Sequence, residues 1–503
     1  MEDLIRLKPE DNLVIASRVF RKGEQIENFK VNSLIPVGHK IALEHIPKGQ
    51  QIRKFSQVIG YARSDILPGD HLHTHNIQFR STDNAYQFST DVKSTKKLDA
   101  ANQDYFMGYK RANGSVGTRN YIAIITSVNC SATAARRIAD AFGPRELSQY
   151  PNVDGVVAFV HGTGCSMASA GEGFEALQRV MWGYARHSNH GAVLMVGLGC
   201  EVNQIDWLLE AYGIERGPLF QTMNIQNICG LQRTIDEGIK KVKAMLPVVN
   251  KVKRTKCAAS ELKVALQCGG SDAWSGVTAN PALGEACDML AMQGGTGVLA
   301  ETPEIYGAEH LLTKRAIDRH TGDRLLSIIK WWEEYTAINK GCMDNNPTPG
   351  NKEGGLSTIL EKSIGAASKG GTSPLMGVYK YAEPVIAKGF TFMDTPGYDP
   401  ASVTGQIAGG CNLVCFTTGR GSVFGSKPAP TIKLASNTKM FRLMCADMDI
   451  NCGDIISENI SVQKKAREIY NMFLRVASGE KTKSEVQGLG DYEFVPWQIG
   501  AVM

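Results

Sequence analysis

The sequence predicts an α/β protein. A small β-rich N-terminal domain is followed by two α/β domains with mainly parallel sheets. Three observations carry this expectation. The first 78 residues are short apolar segments cut by Gly/Pro turns. From residue 121 onward, near-continuous β-branched runs appear, as in strands buried on both faces. Helical stretches alternate with those runs, as in βαβ units.

In the N-terminal part, NLVIASRVF, HKIALEHI, QVIGYA and HLHTHN read as short strands, and PVGHK, PKGQQ and LPGD as their turns. Residues 79–105 are polar and lack apolar periodicity, which predicts a linker. The first α/β domain is expected over 106–250. Its strands are YIAIITSVNC, GVVAFVHGTGC and AVLMVGLGC, and its helices SATAARRIADAF, GFEALQRVMWGYARH and IDWLLEAYGI. The basic stretch around 248–260 reads as a second linker, and 258–503 as the second α/β domain. That domain opens on the strand KVALQCGG and continues through GTGVLAETPEI, SPLMGVYKYA, FTFMDTPG, LVCFTTGRGS and TIKLAS. Glycine-rich turns after apolar runs give both domains a Rossmann-like reading.

The chain has 503 residues, 43% hydrophobic and 21% charged, and a formal net charge of +5. That length suits two to four domains. The small net charge and the lack of long Lys/Arg runs argue against nucleic acid or an anionic membrane as partner. The opening residues lack a signal-type apolar core and no run is long enough to span a bilayer, so a cytoplasmic protein is expected. A homodimer is a possible assembly for a cytoplasmic protein of this kind.

Of the twelve cysteines, none forms a CxxC pair. Four close strand candidates: Cys130, Cys165, Cys200 and Cys268, the first three at even intervals of 35 residues. In a parallel sheet, ligands gather beyond the carboxyl ends of the strands. These thiols are therefore expected to meet and to hold a soft metal centre, an iron–sulfur cluster, zinc or copper(I), of which three thiolates with one open position suit the cluster. The competing reading is that they fill tight strand ends in the core. His71, His73 and His75 alternate along HLHTHN. As a strand, this segment puts all three imidazoles on one face, as a metal site or as proton carriers.

Polar loops flank the apolar runs. In RANGSVGTRNY, Arg111, Asn113 and Arg119 are candidates to grip a carboxylate. In QCGGSDAWSGVTANP, Ser271, Asp272 and Asn280 are candidates for sugar hydroxyls. NPTPGNKEGG offers Asn351 and Lys352, and FTTGRGS offers Arg420 on an anion-binding turn. His161, four residues before Cys165, is a candidate base, and Glu201 after Cys200 is open to the same reading.

Taken in order, IGYARSDILPGDHLHTHN, RANGSVGTRN, HGTGC, GLGCE, QCGGSDAWSGVTANPALG, ETPEIYGAEHLL, NPTPGNKEGGL and FTTGRGS resemble the altronate/galactarate dehydratase family over nearly the whole chain. The resemblance implies an SAF-like N-terminal domain. It also implies dehydration of an aldonate or aldarate to a 2-keto-3-deoxy acid with iron (Fe2+ or a cluster) or another divalent metal. The histidine cluster is similar to the altronate branch. Galactarate-type dehydration and sulfolactate sulfo-lyase chemistry are the alternatives within that resemblance. In the expected reaction a base, His161, His73 or His75, takes the C2 proton while Lys352 and the arginines stabilise the growing negative charge. The absence of GxGxxG after a strand argues against a nicotinamide enzyme.

Overall fold

The computed structural model describes residues 3–26, 29–80, 85–99 and 102–500. The N-terminal unit holds a four-stranded antiparallel sheet that includes Leu13–Ala16, Lys40–Ala42 and His71–Leu72. A second sheet pairs Gln51–Lys54 with Gln57–Ala62 and Ile77–Gln78. Small apolar clusters fill it, with Ile52, Ile59, Ile66 and Leu72 fully buried. One expectation changes: HLHTHN is strand only at His71–Leu72 and then turns. The Asn76 side chain closes that turn, accepting from His73 N–H at 3.0 Å and donating to the His71 carbonyl at 3.0 Å.

The described part of 79–105 runs along the last domain. Backbone N–H groups of Ser89, Asp91 and Leu98 donate to carbonyls of Thr313, Lys314 and Met292. Residues 81–84 and 100–101 of that stretch lie outside the described residues. Strand Tyr105–Lys110 then pairs antiparallel with Thr255–Ala258, so the two ends of the middle domain leave it side by side.

The middle domain is a parallel sheet of Gly155–Phe159, Tyr121–Thr126, His190–Gly197 and Phe220–Asn224, in that spatial order. Helices Ala132–Asp140 and Leu231–Asn250 cover one face, where Ile138, Val242 and Leu246 meet Ile122 and Leu194. The last domain is a seven-stranded parallel sheet. Its order is Leu375–Tyr379, Gly389–Met393, Thr296–Leu299, Lys263–Cys268, Leu413–Thr418, Thr431–Ala435 and Ile450–Asn451. Its strands are buried throughout or nearly so, which is why they read as unbroken apolar runs. One apolar cluster spans both parallel sheets, joining Tyr121 and Val193 to Ala265 and Val414. No helix among the described residues is long and apolar enough to cross a membrane.

Candidate active site at the carboxyl edge of the large sheet

Cys268 ends the central strand of the seven-stranded sheet, and Glu301 and Glu304 follow the next strand over. Their ligand atoms lie within 4.8 Å of one another and all three residues are buried. The Cys268 thiol donates to Glu304 Oε2 at 3.0 Å, and Lys369 Nζ donates to Cys268 Sγ at 2.8 Å. Lys362 Nζ contacts Glu304 Oε1 at 2.6 Å, and Lys369 Nζ lies 3.5 Å from Glu301 Oε2. Glu301 adopts a left-handed backbone (φ 69°), a costly conformation for a residue with a side chain. Thr395 holds it there, its hydroxyl accepting from Glu301 N–H at 2.8 Å.

Charge is tightly matched here. Burial and Glu304 push the Glu301 carboxyl well above its ordinary range. Burial also opposes ionisation of Glu304, but Lys362 and Lys369 outweigh it and hold that carboxyl low. Burial and Glu304 push the Cys268 thiol up. Asp399, at the start of helix Asp399–Ala408, is pushed up to about 7 by burial and Glu304. Its carboxylate lies against Gly269, where a Cβ would stand 2.5 Å from Oδ2.

One thiol and two carboxylates form a donor set that suits a divalent transition metal, iron among them. The two lysines supply the compensating charge, and Lys369 Nζ stands where an ion would have to displace it. By donor chemistry Cys268, Glu301 and Glu304 fit such an ion, with the Lys369 ammonium paired to the same thiol and carboxylate. Beside them opens a cavity of about 420 Å³, lined by Gly269, Glu304, Trp332, Asn346, Asn351, Lys362 and Asp399 among others. Its size suits a small ligand, and its place beyond the strand ends is where α/β sheets bind ligands.

The expected site residues divide. Asn351 is in this cavity: its side chain donates to the Ser271 carbonyl at 2.8 Å, and its Oδ1 caps the short helix Pro349–Glu353 through Thr348. Asp272 and Arg420 line a neighbouring cavity of about 590 Å³ with Trp274 and Asn437. Asp272 is already satisfied by Ser275, Ser436 and Asn437, and Arg420 pairs with Glu353 at 2.8 Å. Ser271 is buried and its hydroxyl has no hydrogen-bond partner. Asn280 is engaged with Thr417 and the Gly365 carbonyl.

Other candidates are engaged within the fold. Arg111 gives its donors to Ser188 O, Asn120 Oδ1 and Arg119 O, and Asn113 closes its own turn onto Ser115. Arg119 is buried and bidentate to Glu485, with further bonds to the carbonyls of Val476 and Glu480. Both arginines join chain segments, and Arg119 has all five donors engaged. His161 has both ring nitrogens occupied, by Thr126 O at 3.0 Å and Thr163 N–H at 3.3 Å, and burial lowers it to about 4. It is a strand-end staple, remote in sequence and sheet from the Cys268 cavity. Cys268 ends a strand of the seven-stranded sheet, whereas Cys130, Cys165 and Cys200 follow strands of the four-stranded one. Glu201 accepts from Ser127 Oγ, Leu198 N–H and Gly199 N–H, and so shapes the Cys200 loop.

The histidines do gather, with a fourth member. His39 Nδ1 and His71 Nε2 are 2.9 Å apart, and ring centroids of His39, His71 and His73 lie 5.1 to 5.5 Å from one another. The His75 ring lies 5.5 Å from that of His71, tilted by 47°. His73 Nε2 donates to the Lys352 carbonyl at 2.8 Å, and His39 Nε2 faces the Glu353 carbonyl at 3.3 Å. The cluster therefore grips the loop whose other residues, Thr348 and Asn351, line the cavity. Burial and neighbouring charge lower His39 to about 4 and His71 to about 3. Beside it, Glu361 accepts from Lys40 and Lys54 of the N-terminal domain, each at 2.9 Å and all buried. Glu361 precedes Lys362 on helix Ile359–Ala367, so this clasp fixes the cavity lysine from behind.

Sequence reasoning missed Glu301, Glu304, Lys362, Lys369, Asp399 and His39. ETPE right after an apolar strand was the available signal for the two glutamates. The lysines gave none, since helix position alone does not tell a buried ammonium from a solvated one.

Residues 2–80 match the family described as Altronate/galactarate dehydratase SAF domain. Residues 108–250 match D-galactarate dehydratase/Altronate hydrolase, second domain, and 259–502 match D-galactarate/Altronate dehydratase, C-terminal. The altronate dehydratase of Bacillus subtilis (strain 168) is 35% identical over 494 residues, covering 96% of this chain and 97% of that protein. The galactarate dehydratase (L-threo-forming) of Escherichia coli (strain K12) is 34% identical, over 97% of this chain and 94% of that protein. The (2R)-sulfolactate sulfo-lyase subunit beta of Chromohalobacter salexigens is 31% identical, over 78% of this chain and 96% of that protein. With three family segments in order and relatives matched over almost their full length, the chain belongs to the altronate/galactarate dehydratase family of sugar-acid hydro-lyases.

Proposed function

We propose that this chain dehydrates an altronate-type aldonate to a 2-keto-3-deoxy acid in the cavity beside Cys268, Glu301 and Glu304, with those three residues holding a divalent metal, iron first. The observation that carries the reading is a buried cluster of one thiol, two carboxylates and two lysines at the carboxyl edge of the sheet, of which Glu304 and Lys362 reach the wall of the adjoining cavity. When bound, the ion supplies Lewis acidity toward a substrate oxygen.

The remaining chemistry belongs to the chain. The substrate carboxylate is placed against Lys362, the one cation among the described residues lining the cavity, where it takes the place of the longest of that ammonium's contacts, Asn351 Oδ1 at 3.3 Å. Its charge stabilises the negative charge that grows as C2 loses its proton. One lining cation favours a mono-acid over a di-acid, which would want a second clamp. Asp399 lines the same cavity and takes the C2 proton. The C3–O bond breaks, the hydroxyl leaves as water with that proton, and the enol tautomerises to the ketone. Asn346 and Asn351 bind sugar hydroxyls; both hydrogen-bond Lys362 and so fix it in place. The histidine cluster and the Lys352 backbone position the Asn351 loop rather than touch the substrate. The test is product analysis under reducing conditions with ferrous iron. The reading requires 2-keto-3-deoxy acid from altronate at a higher kcat/KM than from galactarate, and release of sulfite from sulfolactate in its place would overturn it.

A further inference from the structure

We propose that Cys130, Cys165, Cys200 and Cys229 hold an iron–sulfur cluster of the four-iron type, at a site separate from the Cys268 cavity. The four strands of the middle sheet lie side by side and parallel. Each is followed within six residues by one of these cysteines, so every strand of the sheet delivers one thiol to the same edge. In spatial order they run Cys165, Cys130, Cys200, Cys229. All four are free and exposed, which removes the reading that they fill core space. The sequence shows the first three at even intervals, and the fourth comes from strand Phe220–Asn224, whose mixed burial hides it from an apolar-run search.

The loops that carry the thiols are bonded to one another. Asn129 N–H donates to Thr163 O at 3.0 Å and Asn129 Nδ2 to His161 O at 2.9 Å, joining the Cys130 and Cys165 loops. Asn203 N–H donates to Gly164 O at 3.0 Å, joining the Cys165 and Cys200 loops. Gln226 N–H donates to Leu198 O at 3.0 Å, and the Gln226 amide donates to Cys200 Sγ at 3.3 Å, joining the Cys200 and Cys229 loops. The backbone beside the thiols is left-handed: Gly164 (φ 102°), Ser166 (φ 52°), Gly199 (φ 123°), Cys229 (φ 64°) and Gly230 (φ 121°). Such turns aim N–H groups into a concavity that suits anionic sulfur centres. Ser166 and Cys229 adopt it despite their side chains, a strain retained where the surroundings demand it.

The spacing selects the cofactor. A tetrahedral zinc at about 2.3 Å from each sulfur needs its thiolates less than about 4 Å apart. Among the described residues, the only trio of ligand atoms within 4.8 Å is Cys268, Glu301 and Glu304. Thiols that form no trio this close are set for a larger centre than one zinc ion, and a multi-iron cluster with bridging sulfide holds its terminal thiolates farther apart.

The experiment is anaerobic reconstitution of the full chain with ferrous iron and sulfide. It is followed by visible absorption and by iron and acid-labile sulfide content, on wild type and on Cys130→Ser, Cys165→Ser, Cys200→Ser, Cys229→Ser and Cys268→Ser. The proposal expects about four labile sulfide per chain and about four iron beyond the one at the Cys268 centre, as a cluster with four cysteine ligands requires. It expects loss of most of the colour in each of the first four variants and its retention in Cys268→Ser, with unchanged circular dichroism as the folding control. Iron without labile sulfide, zinc in place of iron, colour that survives removal of all four cysteines, or colour lost only with Cys268 would each overturn it.

Discussion

Replacing Glu361 with Gln removes the negative charge that two buried ammonium groups share, each at 2.9 Å. The burial of that carboxyl would raise its pKa, but Lys40 and Lys54 hold it down to about 2. Breaking one partner of a buried ion pair costs about 3–5 kcal/mol, because the other charge is left unpaired. An independent bound comes from the lysines. An unpaired ammonium can shed its proton, and for an ordinary lysine that costs about 5 kcal/mol at pH 7 and about 2 kcal/mol at pH 9. Lys40 already sits at about 8, lowered by burial despite Glu361, since one carboxylate serves two cations. A lysine lowered in the folded state costs stability while protonated, and the cost is relieved as pH rises. The variant should therefore lose about 3–5 kcal/mol at pH 7 and markedly less at pH 9. The carboxylate term runs the other way. Its folded value lies below the ordinary one, so wild-type stability from this group is present above pH 4.5 and lost as pH falls toward 2. Glu361→Gln should lack that acid limb. Urea unfolding followed by circular dichroism, with proteolysis at residues 85–99 as a reporter of domain docking, reads these effects. A loss under about 1 kcal/mol at pH 7, or the same loss at pH 9, would refute the claim that Glu361 clasps the N-terminal domain to the cavity helix.

Three further outcomes follow from the same geometry. Asp399→Asn should lower kcat by about 10²–10⁴ with fold and metal content kept, and a variant retaining most of its activity would remove Asp399 from the chemistry. Gly269→Ala puts a Cβ 2.5 Å from Asp399 Oδ2, so activity should fall about ten-fold or more while the N-terminal domain stays docked; wild-type kinetics in this variant would show that the carboxylate is not held there. His39 and His71 are lowered to about 4 and about 3, below the ordinary 6.5, so their contribution is full above pH 6.5 and drains as pH falls toward those values. Protease access to the 348–355 loop should rise over that window, and His71→Gln should blunt the rise; an identical pH dependence in the variant would clear the cluster of that role.

The architecture was legible because its signals are local. Strands buried on both faces, such as Lys263–Cys268 and Leu413–Thr418, leave unbroken apolar runs. Strand Phe220–Asn224 stayed hidden because its partial burial leaves polar residues along it. The site was legible only in part. Cys268 stood out at a strand end, but its partners Glu301, Glu304, Lys362 and Lys369 come together through sheet order and helix docking. Arg111 and Arg119 misled for a physical reason: a buried guanidinium serves backbone carbonyls as readily as a substrate, and the sequence does not show which acceptors the fold brings near. The even spacing of three cysteines marked a real sheet edge, and only the strand order showed that the fourth thiol there is Cys229 rather than Cys268.

The most direct measurement is a titration of ferrous iron, without added sulfide, into wild type, Glu301→Gln and Glu304→Gln, with 2-keto acid formation from altronate followed in the same samples. The account predicts that wild type turns over altronate with about one iron per chain at the Cys268 centre, and that both variants, still folded, need about 10–100 times more metal or lose turnover altogether. Variants that bind iron and form product as wild type does would contradict it.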